Sequence, residues 1–164
     1  MLFFPIITAI MLVITDQVTK HIMVNLFEGR TESITVIPGV LSFWHVDNDG
    51  AGFSILSGKT TFLIIFTVVL LVAVGYLFFS RRLHSRLSDW GLALIFSGGI
   101  GNLIDRISRS GRVVDFIKTD FINFPIFNVA DICITVGAGI IILVFILDII
   151  KENRQKKGFQ DGEN

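Results

Sequence analysis

The sequence predicts an all-α membrane protein, four transmembrane helices with a small β-rich platform on one face, and three observations lead there. Hydrophobic residues fill 52% of the 164 positions and charged residues only 17%, with a mean hydropathy of +0.72; a soluble domain carries about 25% charged residues. Four separate stretches are apolar over roughly the 20 residues that a helical span needs. Two β-branched and aromatic runs lie between the first and second of them. This composition excludes a large soluble domain. The 14 basic and 14 acidic residues cancel, which leaves no electrostatic footprint for nucleic acid. The single cysteine, Cys133, lies in an apolar run, so neither a disulfide framework nor a thiolate metal cluster is expected.

The expected spans are residues 1–24, 60–79, 90–107 and 127–150, forming one membrane domain over 1–150 with a polar tail at 151–164. Only six of the 28 charged residues fall inside them: Asp16, Lys20, Asp105, Arg106, Asp131 and Asp148. The first span lacks a basic leader and an Ala-x-Ala-like site before Asp16, so it reads as a retained helix rather than a cleavable signal peptide.

The connection after it carries the platform, at about residues 31–58. Ser33–Ile37 and Val40–Trp44 flank Pro38-Gly39 as a hairpin would, and Asn48-Asp49-Gly50 is a second turn signal. Its apolar residues suit a surface lying on lipid, with Trp44 at the interface; the alternative is a small exposed sheet that merely joins two helices.

Between the second and third spans, Ser80–Arg86 holds three arginines and no acid, and the tail adds Lys151, Arg154, Lys156 and Lys157. An even number of spans separates these basic segments. The positive-inside rule therefore predicts that both termini are cytoplasmic and that residues 25–59 and 108–126 face outward.

Polar side chains inside spans are costly and mark candidate sites. Asp16 and Lys20 are four apart and share a helical face, as do Asn102, Asp105 and Arg106 on the third span. Asn128 and Asp131 sit in the first turns of the fourth, and Asp115 lies in Val113-Val114-Asp115-Phe116, a segment expected to dip back toward the membrane. All fall near the outer boundary. Each has a plainer reading, as a structural ion pair, a snorkelling end residue or interhelical glue. Gly98-Gly99-Ile100-Gly101 reads as a close helix crossing rather than a phosphate loop, since no strand precedes it and no Gly-Lys-Ser/Thr follows. His21, His45, His84 and Asp148 read as incidental.

The histidines lie in different regions and none pairs at ligand spacing, so no metal is expected. Serine chemistry at Ser54 or Ser97 would have only Lys20 as an intramembrane base. Matching Asp16 with Lys20 and Asp105 with Arg106 leaves Asp115 and Asp131. Two such acids brought together share one proton, which is aspartic-protease chemistry. A small proton-coupled transporter is the alternative, although its acids would be expected near the midplane.

Five ordered motifs then carry a family resemblance: Asp16-Gln17-Val18-Thr19-Lys20, Asn48-Asp49-Gly50-Ala51-Gly52-Phe53-Ser54, Gly101-Asn102-Leu103-Ile104-Asp105-Arg106, Val113-Val114-Asp115-Phe116 and Phe127-Asn128-Val129-Ala130-Asp131. Over about residues 1–150 the chain resembles bacterial lipoprotein signal peptidase, signal peptidase II. The resemblance implies an inner-membrane aspartyl endopeptidase without a cofactor. Its substrate would be a prolipoprotein, cut just before a cysteine that bears diacylglycerol. It implies Asp115 and Asp131 as the catalytic pair, Asn102, Arg106 and Asn128 around them, Asp16, Lys20, Asn48, Gly50 and Asp105 as support, and binding of a globomycin-type inhibitor. Gly52 departs from the family, which usually has Ala there.

Overall fold

The computed structural model describes residues 2–50, 55–83 and 85–161, with side chains as far as residue 156. Met1, Ala51, Gly52, Phe53, Ser54, His84 and the side chain of Lys157 lie outside the described residues. The elements run α1 (Phe3–Leu26), β1 (Ile34–Ile37), β2 (Leu41–Asn48), α2 (Thr60–Ser80), α3 (Arg86–Ser108), β3 (Val113–Thr119) and α4 (Val129–Asp161).

All four helices are long and apolar enough to cross a membrane. Among them α3 is the least apolar, yet 56% of its span window is buried, against 17% for each of the other three. That inversion follows from the solvent. Lipid tails are as apolar as leucine, so burying Leu or Phe gains little there, whereas a polar group in hydrocarbon must be hidden and paired. Accordingly Phe3, Ile10, Val69, Val72 and Phe145 face outward, while Ser97, Asn102, Asp105 and Arg106 of α3 are buried.

Small residues let α3 sit at the centre. A β-carbon on Gly98 would overlap the Ala130 carbonyl oxygen and come within 2.7 Å of Ile134 Cγ1, both on α4. On Gly101 it would lie 2.5 Å from the Asp16 carboxylate of α1. The glycine run is thus a close three-helix crossing.

At one end of the bundle sits an antiparallel sheet in the order β1-β2-β3. Pro38 and Gly39 occupy the central positions of the β1–β2 turn, with Gly39 at φ 72° and Val40 N–H donating to Ile37 O at 3.0 Å. Where Val113–Phe116 was expected to dip toward the membrane, it forms β3 and pairs with β2 in the register Asn48↔Val113 and Val46↔Asp115. The platform therefore draws a strand from outside residues 31–58. Met23 of α1 and Phe27, just past its end, pack with Val114 and Phe116 of β3, fixing the sheet to the bundle.

Two helix bounds differ from expectation because of capping and tertiary pairing. Ser85 caps α3 by accepting from Leu87 N–H at 3.1 Å, and the buried Asp89 pairs with Arg81 at 3.5 Å, so charged residues enter the helix ahead of Trp90. α4 continues unbroken beyond Ile150, so the polar tail begins as helix.

Gly98→Ala should overpack the α3–α4 crossing and cost about 1–3 kcal/mol, read as a lower thermal midpoint in detergent. Gly139→Ala, where a β-carbon meets nothing within 4 Å, should not lower it.

Candidate active site

Lys20 is wholly buried, and each of its three ammonium protons has an acceptor. Its Nζ lies 2.9 Å from Asp16 Oδ2, 3.0 Å from Asp105 Oδ2 and 3.0 Å from Asn102 Oδ1. The two carboxylates reach further: Asp16 Oδ1 accepts the Ala130 N–H of α4 at 2.9 Å, and Asp105 Oδ2 accepts the Val114 N–H of β3 at 3.1 Å. One cation thereby ties α1, α3, β3 and α4 together. Here the expected pairing of Asp105 with Arg106 is corrected, because Asp105 turns to Lys20 and, at 3.8 Å, to Arg109. Consecutive helical residues do not face each other.

The chain then brings Asp115 and Asp131 to the same place. After β3 it doubles back so that Phe127 exchanges backbone hydrogen bonds with Ile117, which sets the start of α4 beside Asp115. Asn128 caps α4: its Oδ1 accepts the Asp131 N–H at 2.9 Å, while Asp131 Oδ2 accepts the Asn128 N–H at 3.1 Å. This is the reciprocal capping arrangement, with Asp in the position usually held by Glu.

Three asparagines hold the two carboxyls. Asp115 accepts from Asn48 Nδ2 at 2.8 Å and from Asn128 Nδ2 at 2.6 Å. Asp131 Oδ1 accepts from Asn102 Nδ2 at 2.8 Å. Asn102 and Asn128 also meet, Nδ2 of the latter lying 3.2 Å from Oδ1 of the former. Asp115 is 3% exposed. Burial, together with the neighbouring Asp131 charge, pushes its carboxyl up to about 7, although the Asn48 and Asn128 bonds and the Lys20 charge pull the other way. Two acids so placed can hold one proton between them near neutral pH.

Arg106 is buried beside this pair without an ion pair among the described residues. Its Nη2 donates to the Gly50 carbonyl at 3.0 Å and its Nη1 to Asn102 O at 3.5 Å, and among the described residues its Nε has no partner. Gly50 in turn donates its N–H to Asn48 Oδ1 at 2.9 Å. The sequence-predicted residues Asp16, Lys20, Asn48, Gly50, Asn102, Asp105, Arg106, Asp115, Asn128 and Asp131 thus form one connected polar network.

Gln17, present in the first motif without an expected role, also belongs to the network. Its Nε2 lies 3.2 Å from Asp16 Oδ2, 3.2 Å from Asp105 Oδ1 and 3.1 Å from Gly101 O. An amide within an apolar helix was the signal. Other polar groups lie apart: His21 meets Asn25, His45 lies beside Asp47, and Asp148 is exposed near the far end of α4. Ser97 spends its hydroxyl on Leu94 O, and Lys20 has no free lone pair, so a serine–lysine arrangement has no support among the described residues. The carboxyls also sit at a strand and a helix start, not at mid-span.

A family model described as Signal peptidase (SPase) II matches residues 8–147. The chain belongs to the signal peptidase II family. It is 43% identical over 155 residues to a lipoprotein signal peptidase of Enterococcus faecalis, covering 94% of this chain and 92% of that protein. One from Lactobacillus johnsonii is 43% identical over 141 residues, covering 86% and 88%. A solved structure described as a bacterial membrane enzyme superposes with a TM-score of 0.81 at 38% identity, covering 89% of each chain. The chain is therefore a peptidase with four membrane-spanning helices.

Lys20→Met leaves Asp16 and Asp105 buried without their cation and should destabilise the fold by about 3–5 kcal/mol. Adding Asp105→Asn keeps the net charge of the cluster and should recover much of the lost thermal midpoint.

Proposed function

We propose that the chain removes signal peptides from diacylglyceryl-modified prolipoproteins by aspartyl catalysis, cutting just before the lipidated cysteine. The observation that carries this reading is the convergence of Asp115 and Asp131, each held by two donors. The ionised carboxyl takes a proton from a water, which attacks the scissile carbonyl carbon as the protonated carboxyl donates to the carbonyl oxygen. Collapse of the resulting gem-diol breaks the C–N bond as one of its hydroxyls returns a proton to the carboxylate that had acted as the acid. The proton gained by the base goes to the leaving amine of the cysteine, so the pair returns to its starting state after one turnover.

The surrounding residues hold this geometry. Asn48, Asn102 and Asn128 fix the carboxyls, Asp16, Lys20 and Asp105 brace the helices beneath them, and the Gly50 carbonyl steadies Arg106. The guanidinium has a donor that no described residue takes, available to a peptide carbonyl or lipid ester. Arginines in the α2–α3 link and bases in the tail support a cytoplasmic position for both termini in the bacterial inner membrane, which sets the aspartates near the outer leaflet. A precursor spanning as a helix presents its modified cysteine at that level, and its acyl chains stay in lipid if it approaches laterally between helices. The same pocket would take a globomycin-type inhibitor.

Purified protein incubated with modified and unmodified precursors should release the signal peptide from the modified one only; equal cleavage of both, or of neither, would contradict the reading. The rate should fall above about pH 7, where Asp115 loses its proton and the pair carries two negative charges. It should fall again in acid as Asp131 gains one, and EDTA should not change it. Loss of activity with EDTA that zinc restores would contradict the aspartyl mechanism.

A further inference from the structure

Each of the three asparagines at the carboxyls has its amide oxygen held by a donor that cannot reverse. Gly50 N–H holds Asn48 Oδ1 at 2.9 Å, and Asp131 N–H holds Asn128 Oδ1 at 2.9 Å. Only for Asn102 are the donors side chains, Lys20 Nζ at 3.0 Å and, more distant, Asn128 Nδ2 at 3.2 Å. An ammonium has three donors and no acceptor, so Asn102 cannot offer it a nitrogen. With the oxygen so engaged, Nδ2 must face Asp131. Without Lys20 the oxygen keeps only the longer, uncharged bond from Asn128, and the amide could turn that oxygen to Asp131 instead, replacing a donor by a repulsive acceptor.

We propose that Lys20 is a positioning residue that acts through Asn102, holding a donor on Asp131 and so keeping Asp131 as the ionised, water-activating member while Asp115 carries the proton. The proposal rests on the reading of the two aspartates as the catalytic pair. Two features of the fold favour the same assignment. Asp131 stands in the first turn of α4, where the helix dipole favours an anion, and its second oxygen accepts a backbone N–H. Asp115 stands on a strand with no such dipole, and it is nearly sealed from water.

The charged groups around Asp131 are Lys20 and Asp16 on α1, Arg106 on α3 and Asp115 on β3, with Asp105 acting on Arg106 and the Cys133 thiol on the same helix. Lys20 can thus influence Asp131 in two ways, by its charge across space and through Asn102. Asn102→Ala removes the second path and leaves the first intact.

The test is the pH dependence of precursor cleavage by purified full-length protein in lipid, for Asn102→Ala, for Lys20→Met/Asp105→Asn and for the triple variant. Each should move the acid limb of kcat up by roughly one pH unit, about a tenfold loss on the acid side, with the loss shrinking as pH rises and KM little changed. Asp105→Asn keeps the net charge of the cluster and so limits the effect across space; with the remaining path in series, the triple variant should move the limb no further than Asn102→Ala alone. An unmoved limb in Asn102→Ala, or shifts that add in the triple variant, would overturn the proposal. Asn102→Ala keeps both Lys20 ion pairs, so its limb alone decides if the double variant does not fold. Asp131→Asn, run alongside, separates the two levels. If it is inactive while the Asn102→Ala limb is unmoved, the positioning role falls and the catalytic pair stands; if it still cleaves, both fall.

Discussion

A buried ammonium that must be satisfied without water is the constraint on which the rest of this molecule depends. Lys20 has no solvent contact and takes acceptors from α1 and α3, and the carboxylates it binds extend its reach to backbone N–H groups of β3 and α4. In hydrocarbon an unpaired charge of this kind is very costly, so the four elements cannot separate without exposing it. Apolar packing alone imposes no such register, because the outer faces of α1, α2 and α4 gain little by leaving lipid. Glycines at 98 and 101 matter for the same reason. They let α1, α3 and α4 approach until a short carboxylate on one helix touches the backbone of another.

The sheet supplies what helices cannot. A helix presents side chains only along its own faces, whereas β3 lays a carboxyl across the end of the bundle, and the return at Phe127 starts α4 beside it. Asp115 and Asp131 lie 16 residues apart in sequence but share Asn128, which caps the helix with its oxygen and grips Asp115 with its nitrogen. On the proposed mechanism, the residue that begins the helix also aligns the pair.

How much could be read in advance follows the reach of local geometry. Spans announce themselves by length and apolarity, and Asp16 with Lys20 meets on one face because four residues nearly complete a turn. The hairpin about Pro38-Gly39 is likewise a local matter. Partners across the chain were not legible. Asp105 was matched with Arg106 by adjacency, yet its side chain points about 100° from its neighbour's around the helix, toward a lysine 85 positions earlier. Val113–Phe116 carried no sign of its pairing with β2, since a strand buried on both faces loses the alternation that would reveal it. Gln17 bridges both carboxylates, yet an uncharged amide has no opposite charge at helical spacing to point to its partners.

The claim that Asp115 and Asp131 form one catalytic unit is tested most directly by single-turnover cleavage of a diacylglyceryl-modified precursor by Asp115→Asn, Asp131→Asn and the double variant, each checked for native thermal stability. Residues acting as a unit are non-additive. Each single change should abolish cleavage, and the double change should cost little more; substantial turnover by either folded single variant would contradict the account.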